Sequence, residues 1–329
     1  MSVIDQITQK AKGYNQRIAF PEATEPRTLK AVSILTDQSI CRCILVGNHN
    51  EIQKAATENG IQLSSRISII DPSSSDRNSD YTNEFFNLRK AKGQTHEQAR
   101  ERMKDPLFFA AMMVRRGDAD GAVAGAITTT ADVLRAGIQV IGLREGNRTV
   151  SSVFLMNLPG GKVVTYGDCA VVPYPDAAQL ADIAIASADT HQALTGEIPK
   201  VAMLSFSTKG SAAHEAVTKV TDALALVTKM RPGLAVDGEL QFDAAWVAAV
   251  GQRKAPGSEV AGKANVFVFP NLDAGNIGYK ITERVGGADA IGPIIQGLAK
   301  PLNDLSRGCK AEDIVTVAAV CAVKAKENR

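Results

Sequence analysis

The run Gly121-Ala-Val-Ala-Gly125-Ala-Ile-Thr128-Thr129-Thr130-Ala-Asp132-Val-Leu-Arg135 joins a short apolar strand, a hydroxyl-rich turn and the first turn of a helix. The same order recurs upstream. Ile18-Ala19-Phe20 ends at Pro21 and precedes a helical pattern from about 25 to 36. Cys43–Val46 ends at Gly47 and precedes a helix from about Asn50, and Ile67–Ile70 ends at Asp71-Pro72. Helical patterns near 79–91, 95–103 and 105–117 lead back to the strand at Gly121. Strand, turn and helix repeated in this way predict a parallel sheet with helices on both faces, an α/β fold.

Downstream the texture changes. Val153–Leu158 and Val163–Tyr166 flank Pro159-Gly160-Gly161, which reads as a hairpin or tight turn, so a second sheet carries some antiparallel strand. Alternation then resumes: a helix near 176–194, a strand at Val201–Leu204, a helix near 211–230 and a strand around Ala235-Val236. A helix near 239–250, the run Val266–Phe269, a helix near 274–285 and a last helix over about 311–327 complete the chain.

The 329 residues exceed one compact core and fit two domains of ordinary size. A net charge of +2 supplies no general attraction to nucleic acid or acidic membranes, and aromatics at 5% supply few stacking platforms. Five cysteines without paired spacing and four scattered histidines argue against a disulfide framework or a zinc site. The N-terminal pattern is an amphipathic helix without the apolar core of a signal peptide, and no apolar run reaches the ~18 residues of a membrane span. A cytoplasmic chain is expected.

Three segments concentrate chemistry. Leu88-Arg89-Lys90-Ala-Lys92-Gly93 gathers cations before a glycine, as a solvated helix C-terminus does and as an anion site can. The turn Thr128–Thr130 stands at the carboxyl end of a parallel strand, where α/β sheets bind ligands; Thr128 or Thr130 can also cap the helix that carries Arg135. The stretch Lys300-Pro-Leu-Asn-Asp-Leu-Ser306-Arg307-Gly308-Cys309-Lys-Ala-Glu312-Asp313 adds a serine, an arginine and an acidic pair at a helix start. Free backbone N–H groups and the helix dipole there suit an anion. Ser205–Ser211 repeats the strand-to-hydroxyl pattern without P-loop spacing, and Gly121–Gly125 fails the dinucleotide fingerprint.

GLAKPLNDLSRGCKAEDIV (297–315) closely resembles the C-terminal signature of the phosphate acetyltransferases (phosphotransacetylases). FPEATEPRTLKA (20–31), NLRKAKGQT (87–95), AITTTADVLRAGIQ (126–139), PKVAMLSFSTKGSA (199–212), VDGELQFDAA (236–245) and KAPGSEVAGKANVFVFPNLDAGNIGYK (254–280) extend the resemblance over essentially the whole chain. It implies two α/β domains flanking a cleft, similar to isocitrate and isopropylmalate dehydrogenases. The first domain is 1–144 completed by 300–329, and the second is 145–299. It also implies a homodimer with no tightly bound cofactor, acting on small molecules: acetyl phosphate, phosphate and coenzyme A.

The implied reaction is acetyl-CoA plus phosphate giving acetyl phosphate plus CoA. The implied catalytic residues are Ser306, Arg307 and Asp313, with Arg135 and Arg89 as phosphate or CoA ligands and Thr128 and Thr130 as hydroxyl donors where some relatives have serines. Direct attack of a CoA thiolate within a ternary complex is expected, with Asp313 taking the thiol proton. Ordinary values near 3.9 and 8.5 leave a gap of roughly 6 kcal/mol that a positive loop must close by stabilising the thiolate. Cys309, beside Arg307, is the rival covalent nucleophile, although no histidine lies near it in sequence. A decarboxylating hydroxy-acid dehydrogenase, a non-catalytic acyl-phosphate binder and a transferase of longer acyl groups are the alternative functions.

Overall fold

A computed structural model describes residues 2–327. The first run comprises α1 (Val3–Tyr14), β1 (Arg17–Phe20), α2 (Pro26–Asp37), β2 (Arg42–Val46), α3 (His49–Glu58) and β3 (Ser68–Ile70). It continues with α4 (Asn78–Arg89), α5 (His96–Arg102), α6 (Pro106–Arg116), β4 (Gly121–Ala124) and α7 (Thr130–Ala136), which widens into a π turn over Gly137–Ile141. Starts are set by local chemistry: Glu25 and Asp105 cap helices that begin on proline, where the missing N–H costs nothing. Gly117, in the left-handed region, ends α6.

The second run holds β5 (Ser151–Asn157), β6 (Val163–Gly167), α8 (Ala177–Thr195), β7 (Lys200–Leu204), α9 (Glu215–Met230) and β8 (Ala235–Leu240). It ends with α10 (Phe242–Trp246), α11 (Ala248–Lys254), β9 (Val266–Val268), α12 (Leu272–Arg284) and β10 (Asp289–Gln296). The chain then forms β11 (Leu302–Asp304) and α13 (Ala311–Glu327).

The chain divides into two compact units, one of Val3–Arg144 with the segment from Leu298 onward, the other of Glu145–Gly297. The first contains a five-stranded sheet in the order β11-β4-β1-β2-β3, parallel throughout. The second contains a six-stranded sheet in the order β10-β5-β6-β9-β7-β8, antiparallel from β10 through β5 to β6 and parallel beyond. The fold is therefore mixed α/β with parallel sheets, and the expected hairpin is the β5–β6 pair.

In the second unit alternate residues feed separate cores. Val201, Met203, Val266 and Val268 face α8 and α9, whereas Ala202, Leu204 and Phe267 meet α10 and the aromatic cluster.

Two expectations need correction. The helix expected near 239–250 is the end of β8 followed by the short helices α10 and α11. β8 buries Glu239, whose carboxylate accepts from Ser207 Oγ (2.8 Å) and Gly210 N–H (2.7 Å), so a polar strand looks helical in sequence. β10 and β11 are absent from the sequence reading, because one is interrupted by Gly292-Pro293 and the other reads Leu-Asn-Asp.

Among the described residues, no helix is long and apolar enough to cross a membrane.

His191 on α8 is fully buried and shares a 2.9 Å hydrogen bond with Thr165, while its Nε2 has no hydrogen-bond partner. Burial lowers its pKa from 6.5 to about 4. The stability carried by the neutral ring is thus present above the unfolded value and is lost as pH falls through the folded one. Denaturant unfolding at pH 7 and pH 4 should show wild type losing about 3 kcal/mol more than His191→Gln over that interval.

Candidate active site

The parallel register places three strand ends side by side. β4 pairs with β1 through Ile18↔Gly121, and with β11 through Ala124↔Asp304. The segments leaving their carboxyl ends, 21–25, 125–129 and 305–310, are therefore neighbours although they come from distant parts of the chain.

Glu22, which follows β1, is only 7% exposed, and its carboxylate reaches the turn after β4. It accepts the backbone N–H groups of Ala126 (2.7 Å), Ile127 (3.0 Å) and Thr128 (2.8 Å). The turn's amides thus form a small anion nest, and the protein's own carboxylate occupies it.

Arg27, on the first turn of α2, braces the same region from the cationic side. Its guanidinium donates to Glu25 Oε1 (2.6 Å), Ala126 O (2.9 Å), Arg307 O (2.8 Å) and Cys309 O (3.0 Å). It satisfies carbonyls of the loop after β11 and the turn after β4 at once.

Ser306, Arg307 and Asp313 lie exposed on the loop and first turn between β11 and α13. The amides expected to be free there are partly engaged. Cys309 N–H donates to Ser306 O (2.9 Å), Gly308 N–H to Ser306 Oγ (3.3 Å) and Lys310 N–H to Asp313 Oδ2 (2.8 Å). Asp313 is the third helical residue, so this is the return half of a capping box. Among the described residues, the Arg307 guanidinium makes no hydrogen bond or ion pair, which leaves a planar cation open to an anion.

Of the three threonines, Thr129 is the N-cap of α7, accepting from Asp132 N–H, which corrects the expectation that Thr128 or Thr130 caps it. Thr128 carries an unengaged hydroxyl among the described residues. Thr130 Oγ1 donates to Asp304 Oδ2 at 2.6 Å. Arg135 pairs with Asp132 one turn earlier on α7. Arg89 is half-buried at the end of α4, without an ion pair among the described residues and not joined to the three loops by any hydrogen bond.

Cys309 is 7% exposed, and burial pushes its thiol above the ordinary range even though Arg27 pulls the other way. The group beside Arg307 therefore carries little thiolate.

Glu22, Arg27 and Asp304 are contributors that residue-by-residue reading missed. Position was the available signal for Glu22, which follows a parallel strand legible in sequence just as the threonine turn does, whereas Asp304 offered none because β11 was not legible.

A sequence model of the phosphate acetyl/butaryl transferase family matches residues 2–322. The chain belongs to that family. A phosphate acetyltransferase from Thermoanaerobacterium thermosaccharolyticum is 50% identical over 99% of this chain and 100% of its own. A phosphotransacetylase structure from Streptococcus pyogenes superposes with a TM-score of 0.93 at 42% identity, covering 98% of both chains. A 4-hydroxythreonine-4-phosphate dehydrogenase from Burkholderia phymatum, at 14% identity and a TM-score of 0.55 over 95% of this chain and 98% of its own, shares the fold alone. As a member of the phosphate acetyl/butaryl transferase family, the chain is an acyltransferase, which removes the hydroxy-acid dehydrogenase and non-catalytic readings.

Glu22→Gln would turn one amide-accepting oxygen into a donor facing N–H groups. Unfolding should lose about 1.5–3 kcal/mol, the worth of a charge-assisted hydrogen bond, and turnover should fall with it. An unchanged denaturation midpoint would remove Glu22 from its bracing role.

Proposed function

We propose that the chain catalyses reversible transfer of an acetyl group between coenzyme A and phosphate by direct thiolate attack in a ternary complex. The observation that carries this reading is the unpaired Arg307 guanidinium, exposed between Ser306 and Asp313 on a loop whose backbone is held by Arg27.

In this scheme Asp313 accepts the proton of the CoA thiol. The thiolate adds to the carbonyl carbon of acetyl phosphate, the carbon–oxygen bond to phosphate breaks, and phosphate leaves with the bonding pair. Arg307 pairs with the acyl phosphate and stabilises charge developing on the carbonyl oxygen and leaving group, and Ser306 donates to the same charge. Arg135 and Arg89 take phosphate oxygens of the two substrates, with Thr128 as a neutral donor. Pairing with Asp132 holds Arg135 in place before substrate arrives. Holding both anionic substrates together supplies several kcal/mol of the barrier reduction. The raised thiol of Cys309 favours this route over a covalent acyl-enzyme.

The reading extends to fold and assembly. An isocitrate/isopropylmalate dehydrogenase-like fold is supported by the likeness to the 4-hydroxythreonine-4-phosphate dehydrogenase. A homodimer is supported by Ile277, Ile281 and Val285, exposed at four-residue spacing along and just beyond α12. Coenzyme A enters as substrate, with no tightly bound cofactor.

Thioester absorbance with CoA and acetyl, propionyl or butyryl phosphate tests activity and acyl preference together: acetyl phosphate should give the highest kcat/KM. A higher value for butyryl phosphate would reassign the acyl group.

Asp313→Asn should lower kcat by about 10²–10⁴ with CoA affinity largely kept. Cys309→Ala should keep turnover. Loss of turnover in Cys309→Ala with intact CoA binding would establish the covalent route instead.

A further inference from the structure

Asp304 ends β11, two residues before Ser306, and is 1% exposed. Its Oδ2 accepts the Thr130 hydroxyl at 2.6 Å across a sequence separation of 174 residues. Its Oδ1 is buried and has no hydrogen-bond partner. That oxygen rests against Gly125, where a Cβ would stand 2.3 Å from it, and Gly125 has φ +107. The sequence thus leaves room for one carboxylate between the turn after β4 and the loop after β11, and lets it grip the first residue of α7, the helix that carries Arg135.

We propose that Asp304 is a positioning residue for acyl transfer: it captures the Thr130 hydroxyl proton, holding the α7 start against the Ser306–Arg307 loop and leaving Thr130 Oγ1 able only to accept toward the substrates. This rests on the acyl-transfer reading above and reassigns Thr130 within it. A threonine whose proton is committed inward cannot donate to a phosphate oxygen, so Thr130 orients the site or accepts from a protonated substrate group, whereas Thr128 remains a free donor.

Ionised Asp304 can only accept, which makes the direction of that hydrogen bond obligatory. Burial raises its pKa from 3.8 to about 6, with Glu22 pushing the same way and the Thr130 hydroxyl pulling back. Gly125 and Thr130, which contact it from the turn after β4 and from α7, bring no charge. The buried titratable groups of α13, Cys321 and Lys324, act on one another, and Glu22 is the charged neighbour acting on Asp304. Above that pKa, Thr130 is locked as a donor. Below it, the protonated acid can donate instead, which frees the hydroxyl hydrogen and loosens the register of the turn.

The linked stability has the opposite sign from the activity. A carboxyl group whose folded pKa exceeds its unfolded one contributes stability fully present below the unfolded value and lost as pH rises through the folded value. Ionised Asp304 therefore costs stability at the pH where it serves the reaction.

The test is a pH profile of kcat/KM with acetyl phosphate and CoA, alongside melting at pH 8, for wild type, Asp304→Asn, Thr130→Ser, Thr130→Val and the Asp304→Asn/Thr130→Val pair. Wild type should lose activity with an acid limb near pH 6. Asp304→Asn should lower kcat at pH 8 by about tenfold or more, flatten that limb and melt no lower than wild type. Thr130→Ser should retain most activity, Thr130→Val should match Asp304→Asn, and the double variant should be no worse than the poorer single one.

Wild-type kcat and an unshifted acid limb in Asp304→Asn would overturn the proposal, as would multiplicative losses in the pair. If Asp304→Asn does not fold, equal activities of Thr130→Ser and Thr130→Val overturn it alone. An inactive wild type would refute the acyl-transfer reading, whereas an active wild type with an indifferent Asp304→Asn refutes this inference only.

Discussion

The carboxylate of Glu22 is the interaction on which the site's geometry depends. A buried charge is costly unless it is fully hydrogen-bonded, and here three consecutive amides meet it. Because these bonds fix the turn after β4, the start of α7 and the direction of its side chains follow from them. The same bonds also settle what the turn cannot do. An anion nest already filled by the protein's own carboxylate has no free amide for a substrate anion, which leaves charge recognition to side chains, the role proposed for Arg307.

Arg27 is the complementary restraint. One guanidinium bonded to carbonyls of Ala126, Arg307 and Cys309 ties two loops whose residues are far apart in sequence. Its planar fork presents several donors in fixed directions, which lysine's single ammonium does not. The loop after β11 thus keeps its backbone in place while the Arg307 side chain stays open. Thr130 and Asp304 add a second tie across the same region, between the start of α7 and the end of β11. Backbone held by buried charge and side chains left at the surface is a common division of labour at the carboxyl ends of parallel strands.

Much of the architecture was legible from local pattern. Apolar runs such as Cys43–Val46 and Val201–Leu204, each followed by a 3.6-residue pattern, identified the parallel strands and their helices, and Pro159-Gly160-Gly161 marked the hairpin. The misreadings of β11 and β8 share one cause. β11 reads Leu-Asn-Asp and β8 contains Asp-Gly-Glu, so both look solvent-facing in sequence, yet Asp304 and Glu239 are buried. Their partners, Thr130 for one and Ser207 with Gly210 for the other, lie on distant segments. A polar strand is stable when such partners arrive, and a window of neighbouring residues does not contain them. The Thr129 cap was missed for a milder reason: three adjacent hydroxyls are equivalent until the backbone chooses which one precedes the first helical residue.

By itself, the sequence determined the α/β class, the types of most elements, the family, and the cluster of serine, arginine and aspartate near the C-terminus. These rest on periodicity, composition and contiguous motifs, all of which are local. Only the tertiary structure decided which hydrogen-bonding groups in and around the candidate site remain free. The amides of 126–128 are spoken for by a residue up to 106 positions away, and the Thr130 proton by one 174 positions away. Hydrogen-bond capacity belongs to a residue's type, but its occupancy belongs to the neighbours that the parallel sheet brings beside it.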